Sequence, residues 1–416
     1  MNDQTAISAT GNQLPIPYSP TRAQLLRQRL RLKLLQAFAA LYRPPRRPAK
    51  PGKNPSILLI RPDHLGDLLF TTPALRLLRR TLPQARLSML VGPWGHSVMA
   101  RSPHLDEVLV CEFPGFTRRA KPSLFQPYLY LLRQAPIVAR LGFDLSAVLR
   151  FDHWWGGLLA YLAGIPRRNG HDLPEVVPFL TDALPYRPGR HEVVQNLELA
   201  KAISATMGDP SAQVAEEEAT PLSHPLEFPL TPEEENWASR FLETHGLAGT
   251  PLIAIHPGAG AAVKLWRAGA WGQVADALAQ RHRATILLTG STAEVELCRQ
   301  VANAAHCQPL LAAGTTTLGQ LGALYRRCDL VLGPDCGPLH LAVALGTPTV
   351  HLFGPVGWRT FGPWGDPLRH RVLTSGLPCI PCNHLDYGPE ELTAHPCVRL
   401  IEVEQVVNAA EKILCL

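Results

Sequence analysis

No stretch of the 416-residue chain stays apolar and uncharged for the roughly 18 residues that a membrane-crossing helix requires. The opening twenty residues are polar, and the leucines after them are interrupted by arginine, so no secretory leader is expected. Together these absences point to a cytosolic chain. Cysteine is sparse: nine residues scattered over this length make no disulfide framework, and cytosolic thiols stay reduced. Acid is almost missing from one end. Residues 1–53 hold ten Lys or Arg and a single carboxylate, Asp3, for a charge of +9, while the rest, with 30 basic and 33 acidic residues, carries −3. The basic surplus therefore belongs to the first segment, and the folded body is not expected to hold nucleic acid.

That basic segment contains one helical pattern. Residues 21–42, TRAQLLRQRLRLKLLQAFAALY, are ended by the proline-rich RPPRRPAKPGKNP. Leu26, Leu30, Leu34, Ala37 and Leu41 share a face, Arg27 and Arg31 lie near it, and Leu32 and Leu35 point elsewhere. Two readings stand. A basic helix drawn to an anionic membrane surface through residues 21–50 is one. A helix packed on protein with solvated arginines is the other.

From Ser56 the pattern becomes strand, loop and helix in alternation. SILLIR, ARLSMLVG, DEVLVCE and FDLSAVLRF read as strands, with helices in LLFTTPALRLLRRTL, PYLYLLRQAPIVARLG and WWGGLLAYLAGI. The acid- and proline-rich residues 211–234 read as a linker. A second series follows: PLIAIHPG, ATILLTG, QPLLAAG, DLVLGP and PTVHLFGP, with helices WGQVADALAQRH, AEVELCRQVANAA and LGQLGALYRRC between them. Apolar strands alternating with helices predict parallel sheets covered on both faces. The expected organisation is a basic extension, 1–53, with one helix; a doubly wound α/β domain, 54–210; the linker; and a second such domain, 235–416, with a closing C-terminal segment. Ligands of such sheets bind beyond the carboxyl ends of the strands, so two facing domains make a cleft.

Three loops at strand ends carry chemistry. In RPDHLGDLLF, Asp67 opens a helix, as a helix cap or as a catalytic acid. In HPGAGAAVKLW, His256, Gly258 and Gly260 precede Lys264, a set that suits a phosphate although no GxxxxGK[ST] motif is present. In GPDCGPLHLAVALG, two prolines fix the chain, Gly337 permits close approach, and the following helix presents its N–H groups to an anion. Asp335 there would repel a phosphate, so it is expected to accept from sugar hydroxyls or the loop's own N–H groups. His340 reads equally as a ligand contact or an interior histidine.

Taken in order, ILLIRPDHLGDLLFTTPALRLLRR, HPGAGAAVKLWRAGAWGQVADAL, LLTGSTAEVELC and DLVLGPDCGPLHLAVALGTPTVHLFGP resemble the heptosyltransferase family of glycosyltransferases, family 9, from about Ser56 to the end. The resemblance implies the GT-B architecture: two Rossmann-like doubly wound domains facing across a cleft, the second holding the nucleotide sugar. It implies inverting transfer of heptose from ADP-heptose to a lipopolysaccharide core, with no metal and no cofactor, at the cytoplasmic face of an inner membrane. Asp67 then matches the general base and Lys264, in the loop with His256 and Gly258, the contact to donor phosphates. Asp335, Cys336, Gly337 and His340 match the cradle for diphosphate and sugar, and Glu294 the acid that holds the ribose. Cys336 departs from the family's Ser or Thr, and a thiol is the poorer hydrogen-bond donor. A related transferase using another nucleotide sugar or a protein acceptor, or a non-catalytic nucleotide-sugar-binding partner, are the alternatives. Cys379, Cys382 and Cys397, near His384 and His395, are read as reduced thiols, with a metal site as the second reading.

Overall fold

The strands form two six-stranded parallel sheets with one plan. In a computed structural model that describes residues 21–44, 54–117, 125–207, 219–247 and 249–415, the first sheet comprises β1 (Ser56–Arg61), β2 (Arg86–Val91), β3 (Glu107–Val110), β4 (Leu145–Val148), β5 (Arg167–His171) and β6 (Asp182–Leu184). Its helices are α1 (Arg22–Leu41), α2 (Leu65–Leu69), α3 (Thr72–Thr81), α4 (His96–Met99), α5 (Gln126–Arg140), α6 (Trp154–Leu162) and α7 (Glu192–Met207). The second sheet comprises β7 (Leu252–Ile255), β8 (Thr285–Leu288), β9 (Leu310–Leu311), β10 (Leu330–Pro334), β11 (Thr349–Leu352) and β12 (His370–Leu373). With it go α8 (Pro232–Thr244), α9 (Ala268–His282), α10 (Val295–Ala304), α11 (Leu318–Tyr325), α12 (Gly337–Ala344), α13 (Trp358–Phe361) and α14 (Val403–Leu414). The strand orders are β3-β2-β1-β4-β5-β6 and β12-β11-β10-β7-β8-β9. Each order reverses at one junction, β1 with β4 and β7 with β10, where a doubly wound sheet opens its binding crevice. This is the expected GT-B architecture.

Alternation along β1 divides the core. Ile57 and Leu59 pack with Leu75 and Leu78 of α3 and Leu197 and Ile203 of α7. Leu58 and Ile60 pack on the other face with Leu131 of α5, Leu158 of α6 and Leu35 of α1. The first of these clusters runs on into Leu252, Ala254 and Val331 of the second sheet, so the domains share a core.

Local chemistry accounts for departures from the sequence reading. The helix expected through LLFTTPALRLLRR is two: the Thr71 and Thr72 hydroxyls donate to the Leu68 and Leu69 carbonyls at 2.6 and 2.8 Å, and Pro73 has no N–H to continue the ladder. α8 starts at Pro232, inside the expected linker, because Thr231 and Glu234 form a capping box and three glutamates favour a helix start. Residues 1–20, 45–53 and 211–218, expected as tail and linkers, lie outside the described residues. β5, RRNGH, has no apolar run to announce it.

α1 belongs to the first domain. Leu35 is buried, the Tyr161 hydroxyl donates to the carbonyls of Ala39, at 3.3 Å, and Tyr42, and the Arg31 guanidinium lies 5.6 Å over the Trp154 ring. The stripe of Leu26, Leu30, Leu34 and Leu41 faces away from all of this. Leu35→Ala should therefore lower stability in urea unfolding by about 2–3 kcal/mol, whereas Leu30→Ala should stay within about 0.5 kcal/mol of the parent. Equal effects would mean that the helix is not held by its Leu35 face.

Candidate active site

β1 ends on Arg61, whose side chain is buried. A buried guanidinium needs compensating carboxylates, and three surround it. Nε lies 2.6 Å from Asp63 Oδ2, Nη1 lies 2.6 Å from Glu192 Oε1, and Nη2 lies 3.6 Å from Asp67 Oδ1. Nη1 also donates to the Leu149 carbonyl at 3.0 Å, tying β1 to the chain leaving β4. Arg150, just beyond β4, pairs with the other oxygen of Asp63 and with Asp152. Burial works against both guanidinium charges, yet their carboxylate partners hold them above the ordinary arginine value.

Two carboxyls of one loop thus sit in opposed environments. Burial disfavours the charge of Asp63, but Arg150 and Arg61 together hold its carboxyl below the usual range. Asp67, in the first turn of α2 with its side chain 32% exposed, is pushed up to about 7, first by desolvation and then by the charge of Asp63. A carboxyl half-ionised near neutrality suits proton transfer. Beside them His153 is buried, neither ring nitrogen has a hydrogen-bond partner among the described residues, and burial followed by Arg150 lowers it to about 3.

Across the cleft, Lys264 Nζ donates to Asp335 Oδ2 at 2.6 Å. Burial opposes the charge of Asp335, but Lys264 and then His340 hold its carboxyl at about 2. The partner of Asp335 is thus a lysine, one the sequence reading did not assign it. His340 Nε2 lies 3.9 Å from Asp335 Oδ1, and its ring meets Phe70 edge-on at 4.8 Å, so this interior histidine stands at the domain boundary. Cys336 caps α12 in extended conformation without a side-chain cap hydrogen bond. His256 is buried with Nδ1 3.2 Å from Thr289 Oγ1, and burial lowers its pKa. Its Nε2 lies 3.8 Å from Glu294 Oε2. Glu294 accepts from Ser291 N and Oγ at 2.7 Å and leans on Gly258, where a Cβ would stand 2.0 Å from its Oε1.

The two halves meet backbone to backbone. A Cβ on Gly337 would stand 2.8 Å from Leu65 Cβ, and one on Gly66 would stand 2.8 Å from His340 Cδ2. The space that Gly337 frees is thus taken by α2 of the other domain rather than left for a ligand, and α2 and α12 cross at their amino ends. His191 Nε2 3.1 Å from the Gly362 carbonyl, and the Trp364 N–H donating to His224 O at 2.8 Å, hold the same boundary.

A family model described as glycosyltransferase family 9 (heptosyltransferase) matches residues 143–387, more than half of the chain. The chain belongs to glycosyltransferase family 9. Lipopolysaccharide heptosyltransferase 3 of Escherichia coli K12 is 24% identical over 357 residues, 84% of this chain and 95% of that protein. Among solved structures, a family 9 glycosyltransferase from Veillonella parvula matches with a TM-score of 0.69 and 24% identity, over 87% of this chain and 97% of that one. The E. coli ADP-heptose lipopolysaccharide heptosyltransferase II matches at 0.63 and 21%, over 86% and 98%. These likenesses carry the fold; family membership makes the chain a glycosyltransferase of heptosyltransferase type.

Sequence reading missed Arg61, Asp63, Arg150, His153 and Glu192. The signals were short: an arginine and acid on either side of a proline at the end of β1, and RFDH after β4. The late cysteines do gather, with Cys379, Cys382 and Cys397 lining a small cavity beside Tyr387 and His395. Among the described residues, no group of three or more His, Cys, Asp or Glu is disposed to hold a metal ion. Asp63→Asn should cost about 3–5 kcal/mol by leaving Arg61 and Arg150 short of a buried counter-charge, read as a lower melting temperature. A melting temperature equal to the parent's would show that the arginines do not depend on Asp63.

Proposed function

We propose that the chain is an inverting, metal-independent transferase that moves heptose from ADP-heptose to a lipopolysaccharide core or similar glycan, working at the cytoplasmic face of an anionic membrane. The observation that carries this reading is Asp67: a carboxyl raised to about 7, at the crevice of the first sheet, on a helix that crosses the donor-loop helix α12. Its support in kind comes from relatives whose names include ADP-heptose and lipopolysaccharide.

In the proposed step an acceptor hydroxyl attacks the anomeric carbon from the side opposite the diphosphate. The new C–O bond forms as the bond to ADP breaks, and ADP leaves with that electron pair. The hydroxyl proton passes to Asp67, a contribution of ~10²–10⁴-fold for a positioned base. Lys264, aimed by Asp335, stabilises the charge growing on the leaving diphosphate. His256, Gly258 and Glu294 form the nucleotide side, with Glu294 holding the ribose. Cys336 favours a second reading, another nucleotide sugar, because its thiol makes no cap hydrogen bond where a hydroxyl would. Thermal shift against a panel of nucleotide sugars separates the two, since the true donor raises apparent stability most.

Asp67→Asn should lower turnover by ~10²–10⁴-fold with ADP affinity nearly unchanged, whereas Lys264→Ala should weaken ADP binding and turnover together. Near-parental turnover in the first variant would return Asp67 to a helix cap. Parental ADP affinity in the second would remove Lys264 from the donor site.

A further inference from the structure

Two helices on one side of the first domain present apolar stripes whose leucines are exposed among the described residues. In α1 the side chains of Leu26, Leu30, Leu34, Ala37 and Leu41 fall within an arc of about 80°, opposite the buried Leu35. In α5, with its cap residue, Phe125, Leu129, Leu132 and Pro136 fall within about 60°, opposite the buried Leu131, Ala135 and Val138. The leucines of both stripes and Phe125 are 57–87% exposed. The buried faces of α1 and α5 cover the same side of the sheet, so both stripes look outward in the same sense. Trp154 joins the two helices, with Arg31 of α1 stacked over it and the ring of Tyr128 of α5 at 5.9 Å.

The charge on these two helices has one sign. α1 carries Arg22, Arg27, Arg29, Arg31 and Lys33, α5 carries Arg133 and Arg140, and neither helix contains an acid. Arg22, Arg29 and Lys33 flank one edge of the α1 stripe and Arg27 the other. This is the arrangement in which long cationic side chains spread away from an inserted apolar stripe. A second copy of the chain fits poorly, because a two-fold contact would set these cations against their own counterparts. Neither helix is long and apolar enough to cross a membrane.

We propose that α1 and α5 form one docking surface that lies on a bilayer containing anionic lipid, with both leucine stripes in the headgroup boundary. The surface borders the acceptor side of the cleft. Trp154 begins α6 directly after Arg150–His153, and Arg150 holds Asp63. Resting on the proposed function, docking therefore brings the mouth of the cleft to a lipid-borne acceptor.

The test uses the full chain and sedimentation with vesicles of phosphatidylcholine alone or mixed equally with phosphatidylglycerol. Binding to the mixed vesicles is expected, weaker binding to phosphatidylcholine, and loss with added salt. Leu30→Glu with Leu34→Glu, and separately Leu129→Glu with Leu132→Glu, should each lower binding by about tenfold or more. Circular dichroism and transfer to a soluble core oligosaccharide should match the parent in both. Parental binding by the α5 pair would overturn the shared surface, as would equal binding to both vesicle types. So would a dimer in light scattering that the α5 pair splits, since the surface would then hold a second copy. Vesicle binding that responds to both pairs, in a protein with no transfer activity at all, would support the docking surface and count against the proposed function alone.

Discussion

The buried guanidinium of Arg61 is the constraint on which the first half of the site depends. Taken out of water at the end of β1, it recruits Asp63, Glu192 and Asp67 and the Leu149 carbonyl. One side chain thereby joins three pieces of the domain far apart in the chain: the β1 loop, the end of β4 and the start of α7. Its carboxylates are not equal. Asp63 receives a second arginine and stays ionised, so its charge and the loss of water fall on Asp67, which has only a distant share of Arg61. A difference in pairing within five residues becomes a difference in proton affinity.

The second half solves the opposite problem. In the proposed function a diphosphate needs a cation held ready but not spent. Lys264 rests on Asp335, whose carboxyl stays ionised far below neutral pH, so the ammonium is oriented by its partner. The halves are brought together by absence of side chains: Gly66 and Gly337 let the amino ends of α2 and α12 touch, which sets the Asp67 helix against the loop that opens α12.

Most of the fold was legible in the sequence because the inner strands are buried on both faces and read as unbroken apolar runs. SILLIR gives β1 residue for residue. β5, β6 and β12 were not legible. RRNGH pairs its backbone like any strand, but Arg168 spends its side chain on the Phe179 and Ile165 carbonyls, leaving no pattern of hydrophobicity. The break between α2 and α3 hung on two threonine hydroxyls whose partners are backbone carbonyls. In the site, Asp67, Lys264 and Asp335 were found by the loops that carry them, whereas Arg61 and Asp63 at the end of β1 were passed over, and Arg150 and Glu192 act from distant segments that only the fold brings to them. The meaning of Gly337 also needed the fold, since its neighbour lies in the other domain. α1 packs its Leu35 face on protein and leaves its leucine stripe exposed.

The central claim is that burial, and beside it Asp63 held ionised by two arginines, raises the proton affinity of Asp67. The direct measurement is the pH dependence of kcat/KM with a soluble acceptor for the parent and for Asp63→Asn. Because a base must be ionised to act, the parent's activity should climb with pH and level off above about 7. In the variant the neighbouring negative charge is gone while burial remains, so the rise should move to lower pH yet stay above the ordinary carboxylate range. A rise at the same pH in both proteins would contradict the account.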